Sequence, residues 1–276
     1  MLGSAAGVAL AAYLRFLAEN DLSVLDLNAL EVAENSIVYA QDPNTGAWVE
    51  YDTFTGETDR MLGFLQDWLG ISTLDPESDN ALAPLVLGSQ TNGISPLELA
   101  AAYAVFNEGI YTPPALYTQV QDREGDLLLD RQGQRYARQT ISLQTATIMN
   151  HLLQGVLTAP NGTARGRAPE GDMPAAKTGT TTDYRDFTFV GLTPYYVTAG
   201  WWGFDDPTDM SDLGVTSGRP LQYLWQDYMT QAQQDLPYRD FAQAEGVTAR
   251  QYDPATGLLV PSGGATGYYT QDNLPQ

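Results

Sequence analysis

An α+β fold, with an antiparallel β-sheet flanked by helices, follows from three features of the sequence. Three short strand patterns come late and close together, over residues 175–179, 187–191 and 195–202, with a Thr193-Pro194 turn before the last. Amphipathic helical patterns come before and after them. No strand–helix alternation repeats along the chain, which disfavours a doubly wound parallel sheet.

The elements can be justified in order. An apolar run over residues 2–14 has its first positive charge, Arg15, behind it, so it reads as an amphipathic or buried helix and not as a signal peptide. Residues 26–41 place Leu27, Leu30, Val32, Ala33 and Ile37 at spacings that suit a mostly buried helix, with Asp26 as its cap. The turn-rich stretch 42–56 reads as loop. Met61, Leu62, Leu65, Trp68 and Leu69 give a one-faced helix over 58–69, stopped by Gly70.

The best start signal lies further on. Ser95 can cap a helix, Pro96 suits its first position, Glu98 completes a capping box, Ile94 and Leu99 can staple, and Gly109 ends it. Residues 115–129 read as two strands around Glu124-Gly125. A helix over 142–157 precedes a loop. After the strands, a last helix carries Leu221, Leu224, Trp225 and Tyr228 on one side, and the turn-rich tail from Phe241 can form a small terminal element.

Composition narrows the chemistry. The chain of 276 residues is 43% apolar and 11% aromatic, which is a globular composition for one large domain or a domain with a small appendage. Thirty-four acidic residues against 13 basic ones give a net charge of -21, so the summed field repels nucleic acid. The acidity by itself fits a solvated surface. No cysteine is present, which removes disulfides, thiol catalysis and cysteine zinc sites. The sole histidine, His151, lies in a helical stretch and reads as a packed or surface residue, which leaves serine–histidine–acid catalysis without a base. No stretch reaches the roughly 18–20 apolar residues of a membrane span.

Serine and lysine chemistry remains open, and the lysine is singular. Lys177 is the only lysine in the chain, inside "AAKTGTTTDYRDFTFVG". On a strand, alternation puts Lys177 and Gly179 on one face and Thr178 on the other. A glycine there lets a ligand or another backbone approach closely. The ammonium is a point charge for a carboxylate or a proton relay, and Thr178 and Thr180 add hydroxyls beside it. A K-T-G triplet by itself is equally a surface lysine protecting a strand edge.

The context resolves that choice. "AAKTGTTTDYRDFTFVGLTPYYVTAGWWGFD" resembles the third motif and following strands of class A penicillin-binding protein transpeptidase domains. "LGSQTNGISPLELAAAYAVFNEGIYTPP", "NGTA" at 161–164 and "WQDYM" resemble further segments of that family, over about residues 25–252. The resemblance implies an antiparallel sheet with an all-helical subdomain, and an acyl-serine cleft between them. It implies attack of a serine hydroxyl on a D-alanyl-D-alanine stem peptide, with a second peptide's amine resolving the acyl-enzyme; β-lactams acylate the same serine. Stem peptides and β-lactams are the implied ligands, cell-wall assembly proteins the implied partners, and the cell-wall side of the cytoplasmic membrane the implied location. No cofactor is called for.

On this pattern the site residues are Asn35 and Lys177 as catalytic groups, with Thr178, Gly179 and Thr180 binding substrate. The chain departs from the family elsewhere. Where the S-x-N motif is expected, "AEN" stands, with Ala33 in place of the serine. Ser36 would be turned away by about 100° on a helix. S-x-x-K has no lysine upstream, and Ser4 with Gly7 in "GSAAG" is the nearest relic. A serine hydroxyl is a weak nucleophile without a positioned base, so acylation by this chain alone is expected to be slow or absent. The sequence thus reads as a transpeptidase-like domain over 1–252 lacking an intact S-x-x-K segment, with a tail at 253–276. A fragment, an internal start and a binding-only homologue all remain open, and a serine β-lactamase shares the motifs.

Overall fold

The computed structural model describes residues 35–41, 48–55, 58–131, 136–171 and 173–275. The chain divides into two compact units, Met1–Ser95 and Pro96–Gln276. The expected helix over 2–14, and Ser4, Gly7 and Ala33 with it, lie outside the described residues.

In the first unit, strand β1 (Asn35–Gln41) pairs antiparallel with β2 (Trp48–Thr55), from Asn35 opposite Thr55 to Gln41 opposite Trp48. This corrects the expected helix at residues 35–41 and the expected loop at residues 48–55; the rest of both expected segments lies outside the described residues. Ile37, Val38 and Tyr39 pair with Thr53, Asp52 and Glu50, with a shift of register between Val38 and Tyr39. Such β-branched and aromatic residues favour strands once a partner is available.

Helix α1 (Thr58–Gly63) continues into a wider π turn (Phe64–Trp68), and Gly70 stops it with a positive φ of 66°. Leu62 and Leu69 are buried, as the spacing predicts, and Ile71 beyond the helix is buried with them. A short helix α2 (Leu82–Leu87), unforeseen in the sequence, follows.

Asp79 ties this region together. It is 1% exposed, and its carboxylate accepts from the Asp75 amide at 2.9 Å, the Thr91 amide at 2.7 Å and the Thr91 hydroxyl at 2.8 Å. Burial pushes its pKa up, but these hydrogen bonds outweigh burial and hold it below the ordinary value. The enclosure comes from its own loop and not from a deep protein mass.

In the second unit, helix α3 (Pro96–Ala104) begins at Pro96 as expected. It unwinds through tighter turns to Gly109, where φ is 81° and a side chain would strike the Ile141 carbonyl. Two strand pairs follow: β3 (Ile110–Tyr111) with β6 (Arg138–Gln139), and β4 (Gln119–Gln121) with β5 (Leu127–Asp130). The second is the expected hairpin, turning at Gly125 with φ 91°. Helix α4 (Leu143–Thr158) is capped by Ser142, whose hydroxyl accepts from the Thr145 amide at 3.1 Å. Buried Asn150 donates to the Phe106 carbonyl at 2.7 Å, which ties α4 to the end of α3.

The late strands form one antiparallel sheet in the order β7–β8–β9: β7 (Ala175–Thr180), β8 (Asp186–Leu192) and β9 (Val197–Gly203). Helix α5 (Arg219–Gln233) packs on one face of it. Trp225 and Met229 join Leu157, Ala164, Ala176 and Phe189 in a core cluster. Gly191 makes room for this packing, since a side chain there would overlap the Trp225 ring.

The sheet-facing stripe of α5 runs through Gln222, Trp225, Met229 and Gln233. Leu224 and Tyr228, expected on the buried side, are 67% and 59% exposed. The inward stripe includes two glutamines, so apolarity alone marked the wrong edge of the helix.

The chain ends in a hairpin of β10 (Thr248–Tyr252) and β11 (Ala265–Tyr269). The boundary expected after Tyr252 divides this hairpin, whose second strand lies within 253–276. His151 on α4 holds it: the imidazole stacks on Tyr268 at 3.6 Å between centroids, and its nitrogens meet Gln154 at 3.2 Å and Gln243 at 3.0 Å. His151 is a packing residue.

The Asp79 hub supports a direct test. Asp79→Ala is expected to lower hydrogen-exchange protection of the Thr91 amide by about tenfold or more, since the hydrogen bonds lose their acceptor together. A depressed folded pKa means that this stabilisation is present above the ordinary Asp value of 3.8 and is lost as pH falls through the folded value. Protection that is unchanged in the variant contradicts the hub.

Candidate functional site

Strand β7 carries four of the five predicted site residues. Ala175 and Ala176 are fully buried and anchor its start. Beyond them Lys177 pairs with Val190, Thr178 with Phe189, Gly179 with Thr188 and Thr180 with Phe187. Among the described residues β7 is an edge strand of its sheet. The register confirms the alternation: Thr178 shares the face of Ala176 and Phe189, which meets α5, and Lys177 and Gly179 lie on the other.

The Lys177 ammonium donates to the Thr178 carbonyl at 2.6 Å. Desolvation by the surrounding protein lowers its pKa below 10.5, although the side chain keeps contact with solvent. The exposure makes this a bias in direction, not a trapped neutral amine. It eases both proton exchange and pairing with an anion.

Gly179 has a different reason from the one expected. A side chain there would collide with the Thr188 hydroxyl on β8, so the space is filled from within the sheet. Thr180 is exposed at the strand's end. The turn that follows places Asp183 and Tyr184 in left-handed backbone, with φ of 59° and 50°. Thr181 holds its base, with its hydroxyl accepting from the Asp186 amide at 2.8 Å.

One participant lies in the quoted "NGTA" segment but has no role assigned from the sequence. Thr163, in the loop between α4 and β7, meets the Thr178 hydroxyl with its own at 2.8 Å. Asn35 opens β1 in the other unit. With a strand there, the helical offset of Ser36 from Asn35 does not apply. A cavity of 390 Å³ elsewhere in the second unit, lined by residues such as Leu97, Ala101, Tyr195 and Tyr196, includes none of the β7 residues.

An ammonium with adjoining threonine hydroxyls on a sheet edge has the chemistry to pair with an anionic group. Comparison with known proteins identifies its setting. The penicillin binding protein transpeptidase domain family matches residues 53–211, more than half of the chain, and the chain belongs to that family.

Penicillin-binding protein 1A of Clostridium acetobutylicum is 39% identical over 198 residues, covering 67% of this chain and 23% of that protein. Penicillin-binding protein 1A of Neisseria lactamica is 34% identical over 220 residues, covering 74% of this chain and 27% of that protein. The chain thus spans about a quarter of the length of these relatives.

Two solved structures share the fold. Penicillin-binding protein 1A from Haemophilus influenzae superposes with a TM-score of 0.58 at 19% identity, over 90% of this chain and 46% of that one. Penicillin-binding protein PonA1 from Mycobacterium tuberculosis gives 0.56 at 20% identity, over 87% and 70%. The fold is that of penicillin-binding protein transpeptidase domains, with mixed helices and antiparallel sheets.

Two measurements probe this geometry. Gly179→Ala is expected to destabilise the second unit by about 1–3 kcal/mol, as for an overpacked site. Thr188→Ala in the same chain should recover most of that loss in a thermal unfolding experiment; a neutral Gly179→Ala contradicts the close contact with the Thr188 hydroxyl. Isotopic labelling of lysine yields one side-chain NMR signal, because Lys177 has no counterpart. Its titration midpoint should fall below 10.5, whereas an ordinary or raised midpoint contradicts the desolvated setting.

Proposed function

We propose that this chain presents a D,D-transpeptidase-type site in which β7 receives the C-terminal carboxylate of a D-alanyl-D-alanine stem peptide, or that of a β-lactam. The observation that carries this reading is the intact sequence from Lys177 to Thr180 on the paired edge strand of a transpeptidase-family fold. Lys177 supplies the charge, Thr178 and Thr180 supply hydroxyl donors, and Gly179 lets the strand lie flat against Thr188. Asn35 is assigned a catalytic role only by its place in the family's second motif. The site acts on the cell-wall side of the cytoplasmic membrane, where peptidoglycan cross-linking takes place, alongside other cell-wall assembly proteins.

Binding and acylation separate in this chain. Acyl transfer needs a nucleophile with a base, and a lysine in that role would have to be Lys177 itself, which donates to the Thr178 carbonyl. The S-x-N serine is replaced by Ala33. These 276 residues are therefore read as a domain impaired in acylation that retains ligand contact. A pseudoenzyme used for binding or scaffolding in wall assembly is the alternative, favoured by the same replacement at Ala33.

Fluorescent penicillin and a reversible binding assay test both parts. The expected result is measurable reversible affinity for an acyl-D-alanyl-D-alanine peptide with little or no covalent labelling. Lys177→Ala should lower that affinity by about tenfold or more, in line with loss of a charge-assisted hydrogen bond. Affinity should also decline as pH rises through the lowered pKa of Lys177, because only the ammonium pairs with a carboxylate. Unchanged affinity in Lys177→Ala removes the carboxylate assignment; efficient covalent labelling removes the claim of impairment.

A further inference from the structure

Two exposed hydroxyls that meet each other across a loop need a reason, because water would satisfy either one. Thr163 and Thr178 are 15 residues apart in sequence, and their side-chain oxygens lie 2.8 Å apart. Thr163 is exposed and Thr178 partly so. An exposed hydrogen bond of this kind adds little to stability. What it does is fix where a proton points.

The loop that presents Thr163 is pinned from several sides. The Gly162 amide donates to the Ala159 carbonyl at 3.0 Å, the Ala164 amide to the Val156 carbonyl at 3.1 Å, and the Gly166 amide to the Leu157 carbonyl at 3.2 Å. A side chain at position 162 would meet the Val156 and Gly155 carbonyls at 2.5 and 2.7 Å, so the chain can turn this tightly over the end of α4 only with glycine there. Ala164, 1% exposed, sits in the core beside Ala176, Phe189 and Trp225. Gln222 of α5 donates to the Thr163 carbonyl at 3.4 Å. Thr163 is thus held by α4, α5 and the same core that holds β7.

Hydroxyl bookkeeping supplies the function. A threonine hydroxyl donates one proton and accepts through its lone pairs. If Thr178 donates to a ligand carboxylate, its oxygen can only accept from Thr163, so Thr163 is the donor of that pair. Donation into Thr178 also polarises its hydroxyl and strengthens its own donation outward. We infer that Thr163 is a positioning residue that sets the rotamer and proton direction of Thr178, and through it the carboxylate subsite of β7. The inference rests on the reading that Thr178 faces the ligand carboxylate.

The test uses the whole chain with Thr163→Val, which keeps the branched shape and deletes the hydroxyl, and Thr163→Ser, which keeps the hydroxyl. Binding of an acyl-D-alanyl-D-alanine peptide should weaken about three- to tenfold in Thr163→Val and return to within about twofold in Thr163→Ser, as expected for one hydrogen bond. In a Thr178→Val background, Thr163→Val should have no further effect, because the two act as one unit. Equal losses in both backgrounds overturn the inference.

A readout without ligand keeps the proposal separate from the binding reading. Methyl-labelled threonine NMR should show one χ1 rotamer for Thr178 in the wild type and in Thr163→Ser, and averaging in Thr163→Val, with the melting temperature nearly unchanged. A Thr178 rotamer that is the same in Thr163→Val overturns the inference whatever the ligand does. If Lys177→Ala leaves affinity unchanged while Thr178 averages in Thr163→Val, the carboxylate reading falls and the hydroxyl coupling stands.

Discussion

The site depends on the contact between Trp225 and the backbone of β8. The indole of α5 lies where a side chain on Gly191 would be, and with Met229 it closes over Ala176 and Phe189. Burying a large aromatic against two strands contributes on the order of 1.5–3 kcal/mol by area alone. Its geometric effect matters more here. It fixes β7 and β8 against one helix, so the pairing of Lys177 with Val190 and Gly179 with Thr188 has one register, and a slip of one residue would exchange the faces of Lys177 and Thr178. The same cluster includes Leu157 and Ala164, so the loop carrying Thr163 is positioned by the packing that positions the strand.

Electrostatics explain why this small array must be ordered. With a net charge of -21, the protein as a whole disfavours an anionic ligand. In the proposed site, the Lys177 ammonium and the neighbouring hydroxyls supply local attraction. The guanidinium of Arg185, in the turn between β7 and β8, is shared with Asp183 at 3.3 Å. A partly desolvated Lys177 interacts more strongly with a carboxylate than a fully hydrated surface lysine would, and oriented hydroxyls spare the ligand from ordering them.

Much of this was legible in the sequence because its signals were local. Pro96 at a helix start, the helix beginning near Ser142, Gly125 in a turn and the three late strands each depend on signals within a few residues, and each is close to where the pattern places it. The strand at residues 35–41 is not legible locally, because the pairing that makes it a strand comes from residues 48–55. Leu224 and Tyr228 misled for a related reason, since the buried stripe of α5 spends two positions on glutamine. Lys177 stood out as a sole lysine in a family motif. Thr163 did not, because its partner lies across a loop, and the space beside Gly179 could not be assigned to Thr188 until the strands were paired.

The central claim is that the Lys177 ammonium meets a ligand carboxylate. Because the chain holds a single lysine, lysine-labelled protein gives one side-chain NMR signal that can be followed as an acyl-D-alanyl-D-alanine peptide is added, and again with the same peptide amidated at its C-terminus. The account predicts a saturable shift with the free acid and a much weaker response with the amide. No shift with the acid, or the same shift with both, would contradict it.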